Sequence, residues 1–359
     1  MAGVYISYPF CAQKCTYCNF ASGVLPLDLE KRYLEALKLE LRGTDWPWVP
    51  ETVYLGGGTP SRIDPADLAE ILAVIPGKPW AEATIEAAPG GISPELAQAW
   101  RNAGISRVSL GVQSFVTREL ARTGRKHTAE IVAAEIEVLR AGGLDNFNID
   151  LIAGLPGQTE ASWNASLDWV ERLEPPHLSV YMLEVDADSR LGAEILAFGK
   201  RYGASDVPSD DAIAGFYEIA VERLAASGVR RYEISNFARP ALESRHNLKY
   251  WRREPYFGFG SDAHSFDGAT RWQNVESAAE YVGCLEQHGS PVAACTATDP
   301  AETFFLGLRL EEGIEADWSS YQEGVERFQQ EGLLEIKGSR LRLTPRGVLL
   351  SNEVFAHFV

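Results

Sequence analysis

The chain has 359 residues, 45% hydrophobic and 23% charged, which excludes disordered and fibrous classes and allows one large α/β domain with an appendage, or two domains. Fifty acidic residues against thirty-three basic ones leave a formal charge of −17, the wrong sign for nucleic acid or an anionic membrane surface as main partner. The first ten residues carry no basic n-region, no span of roughly 18 uncharged apolar residues occurs, and five cysteines are too few for a disulfide scaffold. A reduced, cytoplasmic protein without signal peptide or membrane span is expected.

In chain order, β-rich runs alternate with amphipathic helices. Strands are predicted at Val4–Tyr8, Thr52–Leu55, Thr84–Ala87, Arg107–Gly111, Asn146–Leu151 and His177–Leu183. Helices are predicted at Leu29–Leu41, Pro65–Val74, from Pro94 behind an N-cap Ser93, at Ala129–Ala141 and at Glu160–Leu173. Such alternation calls for a parallel sheet with right-handed crossovers. An eight-unit barrel needs about 250 residues, so six units predict a partial, open (β/α)6 barrel over residues 1–185, with its chemistry at the C-terminal strand ends. The polar stretch Asp186–Pro208 marks a boundary to an α+β region over 186–359. That region holds a helix at Asp210–Ala226 and an irregular, aromatic-rich stretch from Tyr232 to Trp272. Its tail, from about residue 300, has helical patterns from Glu302 and Trp318 and a hairpin around Gly338-Ser339. The tail resembles a winged helix, but the acidity of the chain argues against a DNA reader.

Cys11, Cys15 and Cys18 put three thiols on one short loop after the first strand. They read as an iron–sulfur site or, with a fourth ligand, as zinc. Three ligands on a four-iron cluster would leave one iron open to an outside ligand, a reactive design. The Gly56-Gly57-Gly58-Thr59-Pro60 turn follows the second strand and is either a tight turn or a ligand cradle. Glu86, Gln113, Arg125 and Asp150 end or follow further strands and would ring one barrel mouth.

The C-x-x-x-C-x-x-C spacing resembles the radical S-adenosylmethionine (SAM) superfamily. That resemblance implies a [4Fe–4S] cluster on the three cysteines, SAM chelated to the open iron, and its reductive cleavage to a 5′-deoxyadenosyl radical. Tyr5 six residues before Cys11, GGGTP, SLGVQSF (109–115), NIDLIAGLPGQT (148–159), YEISNFARP (232–240), HNLKYW (246–251) and SNEVF (351–355) resemble one subgroup over nearly the whole chain. It contains the oxygen-independent coproporphyrinogen III dehydrogenases (HemN) and related heme chaperones. The matches imply SAM contacts at Tyr5, Tyr17, Gly57, Gly58, Thr59, Glu86, Gln113, Arg125 and Asp150.

Phe20 stands where HemN proteins carry a further cysteine, and their long N-terminal extension has no counterpart before Cys11. His246-Asn247-Leu-Lys-Tyr250-Trp251 matches a motif associated with heme in the chaperones. A neutral imidazole is a good axial ligand and its aromatic neighbours offer a flat apolar wall, although His246 could equally be a hydrogen-bonded loop histidine. His264 is a second candidate. Ser7, Ala88 and Ser261-Asp262 depart from common subgroup residues, without removing a cluster ligand. The expectation is a heme chaperone that binds cluster, SAM and heme, draws on an electron donor and delivers heme to respiratory proteins. The alternatives are a coproporphyrinogen III dehydrogenase, which would decarboxylate porphyrinogen propionates, and a zinc-dependent binding module.

Overall fold

A computed structural model describes residues 2–358. Strand β1 (Ala2–Tyr8) is followed by α1 (Leu27–Arg42), β2 (Pro50–Gly57), α2 (Pro65–Val74), β3 (Glu82–Ala87) and α3 (Pro94–Ala103). Next come β4 (Arg107–Gln113), the short α4 (Thr117–Thr123), α5 (Ala129–Ala141), β5 (Phe147–Ala153), α6 (Glu160–Leu173) and β6 (His177–Met182). Side-chain caps start the helices where the sequence offers them. Asp64 accepts from Ala66 N–H, Ser93 from Leu96 N–H, and Thr159 and Ser162 form a reciprocal capping box.

The six strands lie side by side, all parallel, in the order β1-β2-β3-β4-β5-β6. Their residues alternate in character. Val4, Ile6, Val53, Leu55, Val108, Leu110, Ile149 and Leu151 are fully buried in the apolar core under the helices. The other parity holds Tyr5, Tyr54, Glu86, Ser109, Asp150 and Ser179, which meet one another on the concave side. An ordinary (β/α)8 interior is filled with Val, Ile and Leu; this one is polar. The sheet does not close, in agreement with a partial barrel.

Beyond β6 come α7 (Arg190–Leu196), α8 (Asp210–Ala226), β7 (Arg230–Arg231) and β8 (Asn236–Ala238). The stretch expected to be irregular is ordered: it also holds α9 (Arg245–Trp251), β9 (Tyr256–Phe259), β10 (His264–Phe266) and β11 (Thr270–Asn274). These elements are too short for periodicity to mark. β9 pairs in parallel with β1, and β8 antiparallel with β6, so the sheet grows at both edges to twelve strands. The chain ends with α10 (Ala278–Glu286), β12 (Val292–Ala297), α11 (Glu302–Gly307), α12 (Gln322–Gln330), the hairpin β13 (Leu334–Lys337) and β14 (Arg340–Leu343), α13 (Pro345–Leu349) and α14 (Ser351–Phe355). No helix among the described residues is long and apolar enough to cross a membrane.

Candidate functional site at the barrel mouth

The cysteine loop leaves the C-terminal end of β1 and is pinned from three sides. The Gly58 and Thr59 N–H groups donate to the Tyr8 and Phe10 carbonyls at 2.7 and 3.0 Å, and Thr16 N–H donates to Thr123 O at the end of α4. From α7, Leu191 N–H donates to Thr16 O at 2.8 Å and Arg190 donates to the Lys14 carbonyl. A Cβ at Gly58 would stand 2.7 Å from the Phe10 carbonyl oxygen, so only glycine lets the GGGTP turn press against the loop. The turn is thus a support of the cysteine loop.

The three cysteines share this loop, and the charges of Cys18 and Cys15 reach Cys11. Burial pushes the Cys11 thiol up, and Cys18 and Cys15 add to this, while the nearby Ser22 and Thr59 hydroxyls oppose it. Arg125 reaches toward both Tyr17 and Cys15 and donates from Nη1 to the Gly111 carbonyl at 2.6 Å. Gly111 has no Cβ, which leaves room for the Gln113 and Arg125 side chains beside it. Gln113 ends β4 with φ +69°, a left-handed conformation rare for a side-chain-bearing residue and of the kind found at functional sites. Three thiols are a donor set that suits an iron–sulfur cluster; Cys11, Cys15 and Cys18 would be its ligands, with Thr59 beside Cys11 and Arg125 beside Cys15.

Below the loop, on the concave side, lie two carboxylates. Glu86 accepts from the Tyr54 hydroxyl at 2.9 Å and from Gly57 N–H at 3.2 Å. Burial pushes its carboxyl up to about 7, helped by the charge of Asp150. Asp150 accepts from Asn148 Nδ2 at 2.7 Å and from the Ser109 hydroxyl at 3.4 Å, and burial raises it too. The Tyr5 ring stacks on Tyr54 with centroids 6.2 Å apart. The structure therefore brings the cysteines, Tyr17, Gly57, Gly58, Thr59, Arg125 and Gln113 to one mouth, with Tyr5, Glu86 and Asp150 beneath them. This arrangement can take a group that is cationic at one end and metal-chelating at the other.

The residues of the 246–251 motif lie elsewhere. Helix α9 closes the opposite end of the barrel, where the strands begin. Its first turn is held by Glu82 at the start of β3, which accepts from the Ser244 hydroxyl and from the N–H groups of Arg245 and His246 at 3.0–3.3 Å. His246 is 0% exposed. Its Nδ1 bonds Thr52 Oγ1 and its Nε2 bonds the Tyr250 hydroxyl, each at 2.8 Å, and its ring stacks on Tyr54. Burial, with Lys249 and Arg107 adding, drives the imidazole down to about 3, so it is neutral. Both ring nitrogens are taken, and as placed His246 offers iron no lone pair. Tyr250 packs edge-on against His246 and Tyr256, Trp251 lies under the Arg309 guanidinium, and Asn247 N–H donates to the Ser244 hydroxyl cap. His264 is different. It is exposed and follows the 260–263 turn, which lies level with Ser7 at the mouth end of β1.

The sequence reading missed Tyr54, Arg107, Asn148 and His177, which line the concave side. Their signal was parity: each alternates along its strand with apolar residues such as Val53, Val108, Ile149 and Leu178 that pack under the helices.

Residues 5–170 match the family described as the radical SAM superfamily, and residues 297–350 match the HemN C-terminal domain. The heme chaperone HemW of Bacillus subtilis is 33% identical, over 100% of this chain and 99% of that protein. The chain belongs to the HemW family of radical SAM proteins. The HemW of Mycobacterium tuberculosis is 36% identical, over 98% of this chain and 93% of that protein. Coproporphyrinogen III oxidase (HemN) from Escherichia coli superposes with a TM-score of 0.84 over 99% of this chain and 89% of that one, at 22% identity, which speaks for the fold alone. In this chain the mouth of the barrel is built from the first half and its floor is closed by α9 from the second. Phe20, on the cysteine loop, is a ring 64% exposed.

Proposed function

We propose that this chain is a cytoplasmic heme chaperone that carries a [4Fe–4S] cluster on Cys11, Cys15 and Cys18, binds SAM in the barrel mouth, holds heme, and passes it to heme-accepting respiratory proteins. The observation that carries this reading is the end-to-end likeness to proteins named HemW, joined to a mouth whose groups suit the two cofactors. The cluster supplies a chelating iron and a reducing electron drawn from a separate donor protein. The chain's own groups do the rest. Tyr17, Gln113 and Arg125 line the outer rim, Gly57, Gly58 and Thr59 shape the wall beside the cysteines, and Tyr5, Glu86 and Asp150 offer acceptors below. SAM has an ammonium and a sulfonium, which suit those carboxylates.

For the heme, the exposed imidazole of His264 is favoured over that of His246, whose use would require α9 to leave the barrel floor together with Asn247, Tyr250 and Trp251. The test is anaerobic reconstitution, iron and sulfide analysis, and heme titration followed at the Soret band with His246→Ala and His264→Ala variants. Saturable binding weakened by His264→Ala is expected. Binding weakened only by His246→Ala would move the heme to the 246–251 helix. No saturable binding, or zinc without iron and sulfide, would sink the chaperone reading.

A further inference from the structure

Arg107 opens β4 and points into the barrel, 1% exposed. Among the described residues no group hydrogen-bonds or ion-pairs with its guanidinium, and its Nε has no partner. Thr84, its register neighbour on β3, is also fully buried, and its hydroxyl is unpartnered as well. A buried, unpaired guanidinium costs several kcal/mol unless charges of opposite sign lie near it in the same low-dielectric space. Three carboxylates share that concave face: Glu82, toward the floor, is satisfied by the Ser244 hydroxyl and the Arg245 and His246 N–H groups, while Glu86 and Asp150 stand nearer the mouth, and neither of these two makes an ion pair. The other nearby cations are engaged elsewhere, Arg125 with Tyr17, Cys15 and Gly111, and Lys249 with Glu51 and Glu254.

We infer that Arg107 is the counter-ion of the Glu86–Asp150 pair from beneath, a positioning residue through which the barrel centre selects a ligand of net positive charge. The unpaired Thr84 hydroxyl beside it is the place for a bridging water between guanidinium and carboxylates. With Arg125 held at the rim by Tyr17, Cys15 and Gly111, and Glu82 turned to the Ser244–His246 turn, the ionised Glu86–Asp150 pair and Arg107 leave one negative charge between them, and SAM, with sulfonium, ammonium and carboxylate, carries a net charge of +1. The inference rests on the reading of the mouth as a SAM site and adds to it the reason for its charge selectivity. The groups facing Glu86 are Tyr5 from β1, Tyr54 from β2, Arg107 from β4, Asp150 from β5, Tyr181 from β6 and Tyr250 from α9. Burial holds all four tyrosines above their usual range, so they stay neutral. Of these groups Arg107 alone lowers the carboxyl through its charge, and with Arg125 it does the same for Asp150.

The test compares wild type, Arg107→Met and Arg107→Lys, all cluster-reconstituted, for binding of SAM and of S-adenosylhomocysteine, which lacks the sulfonium charge. Affinities are measured by anaerobic calorimetry from about pH 6 to about pH 9. In wild type, SAM affinity rises with pH as the carboxylates ionise, while S-adenosylhomocysteine stays nearly level. Arg107→Met shifts that rise up by about one pH unit, so SAM binds about fivefold more weakly near pH 7 and recovers toward pH 9. Arg107→Lys keeps the wild-type midpoint and preference. An unchanged midpoint in Arg107→Met overturns the inference, and so does an equal loss of both ligands at every pH, which marks a merely structural residue. Should Arg107→Met not fold, a folded Arg107→Lys that has lost the preference for SAM overturns it equally. Failure of wild type itself to bind SAM removes the SAM reading and is told apart by that control.

Discussion

Glu86 is held as a carboxylate at the expense of stability. Its carboxyl sits at about 7 in the folded chain, against about 4.5 when exposed, so burial penalises its charged form. The penalty is fully present above pH 7, fades as pH falls toward 4.5 and is absent below. Glu86→Gln is therefore expected to stabilise the ligand-free protein by about 1–3 kcal/mol at pH 8 and to bring no gain near pH 4.5, read as urea midpoints at the two pH values. The same change should weaken SAM binding. His246 has the opposite sign. Its folded value, about 3, lies below the ordinary 6.5, so its contribution is complete above pH 6.5 and is lost as pH falls toward 3. His246→Ala leaves Thr52 and Tyr250 unpaired and a cavity in the barrel floor, and should cost about 3 kcal/mol at pH 7.5 by denaturant titration. The cluster content of the folded fraction should be unchanged, because His246 lies at the far end of the strands; a variant of wild-type stability would show the floor packing to be wrong.

At the scale of elements, short pieces decide how the site is held. The seven-residue α4 and α7 have no strong periodic signature, yet Thr123 and Leu191 fix the cysteine loop. The GGGTP turn matters by contact: in Gly58→Ala the added methyl meets the Phe10 carbonyl at 2.7 Å, and the loop must move. We expect a loss of about 1–3 kcal/mol and iron loading well below wild type, measured by iron and sulfide content after reconstitution. Full loading would mean that the loop does not depend on the turn. Glu82 plays the matching part for α9. Glu82→Leu removes three hydrogen bonds from the helix start, and its signature should be faster amide exchange over residues 245–251, with the cysteine loop unaffected.

The whole molecule is tied together by one sheet whose two edges come from the second half of the chain. β9 lies against β1 and β8 against β6, while Arg271 on β11 is bound in a fork to Glu302 on α11. Unfolding should therefore be cooperative across both halves, with far-ultraviolet dichroism and tryptophan fluorescence giving one coincident urea transition; two separated transitions would show that the halves are independent. The acidic surface implied by the net charge of −17 leaves association with anionic membranes weak and dependent on salt.

Local chemistry was enough to read the six parallel strands, the helices between them and the cysteine loop, because alternation, capping residues and thiol spacing are all encoded within a few residues of one another. Pro65–Val74, Ala129–Ala141, Glu160–Leu173 and Asp210–Ala226 lie where periodicity and caps predict them. The polar residues inside the barrel were half legible: Glu86 and Asp150 through motif resemblance, Arg107 and Tyr54 only through strand parity, which does not say which face is inside. What tertiary structure alone decided is the placement of His246. A histidine followed by Tyr250 and Trp251 has the residues of a heme wall, but Thr52, Tyr54 and Glu82, some 160 to 190 residues earlier in sequence, make it the floor of the barrel. Burial and long-range hydrogen bonding are properties of the folded chain, and they determine whether an imidazole is free to hold a metal.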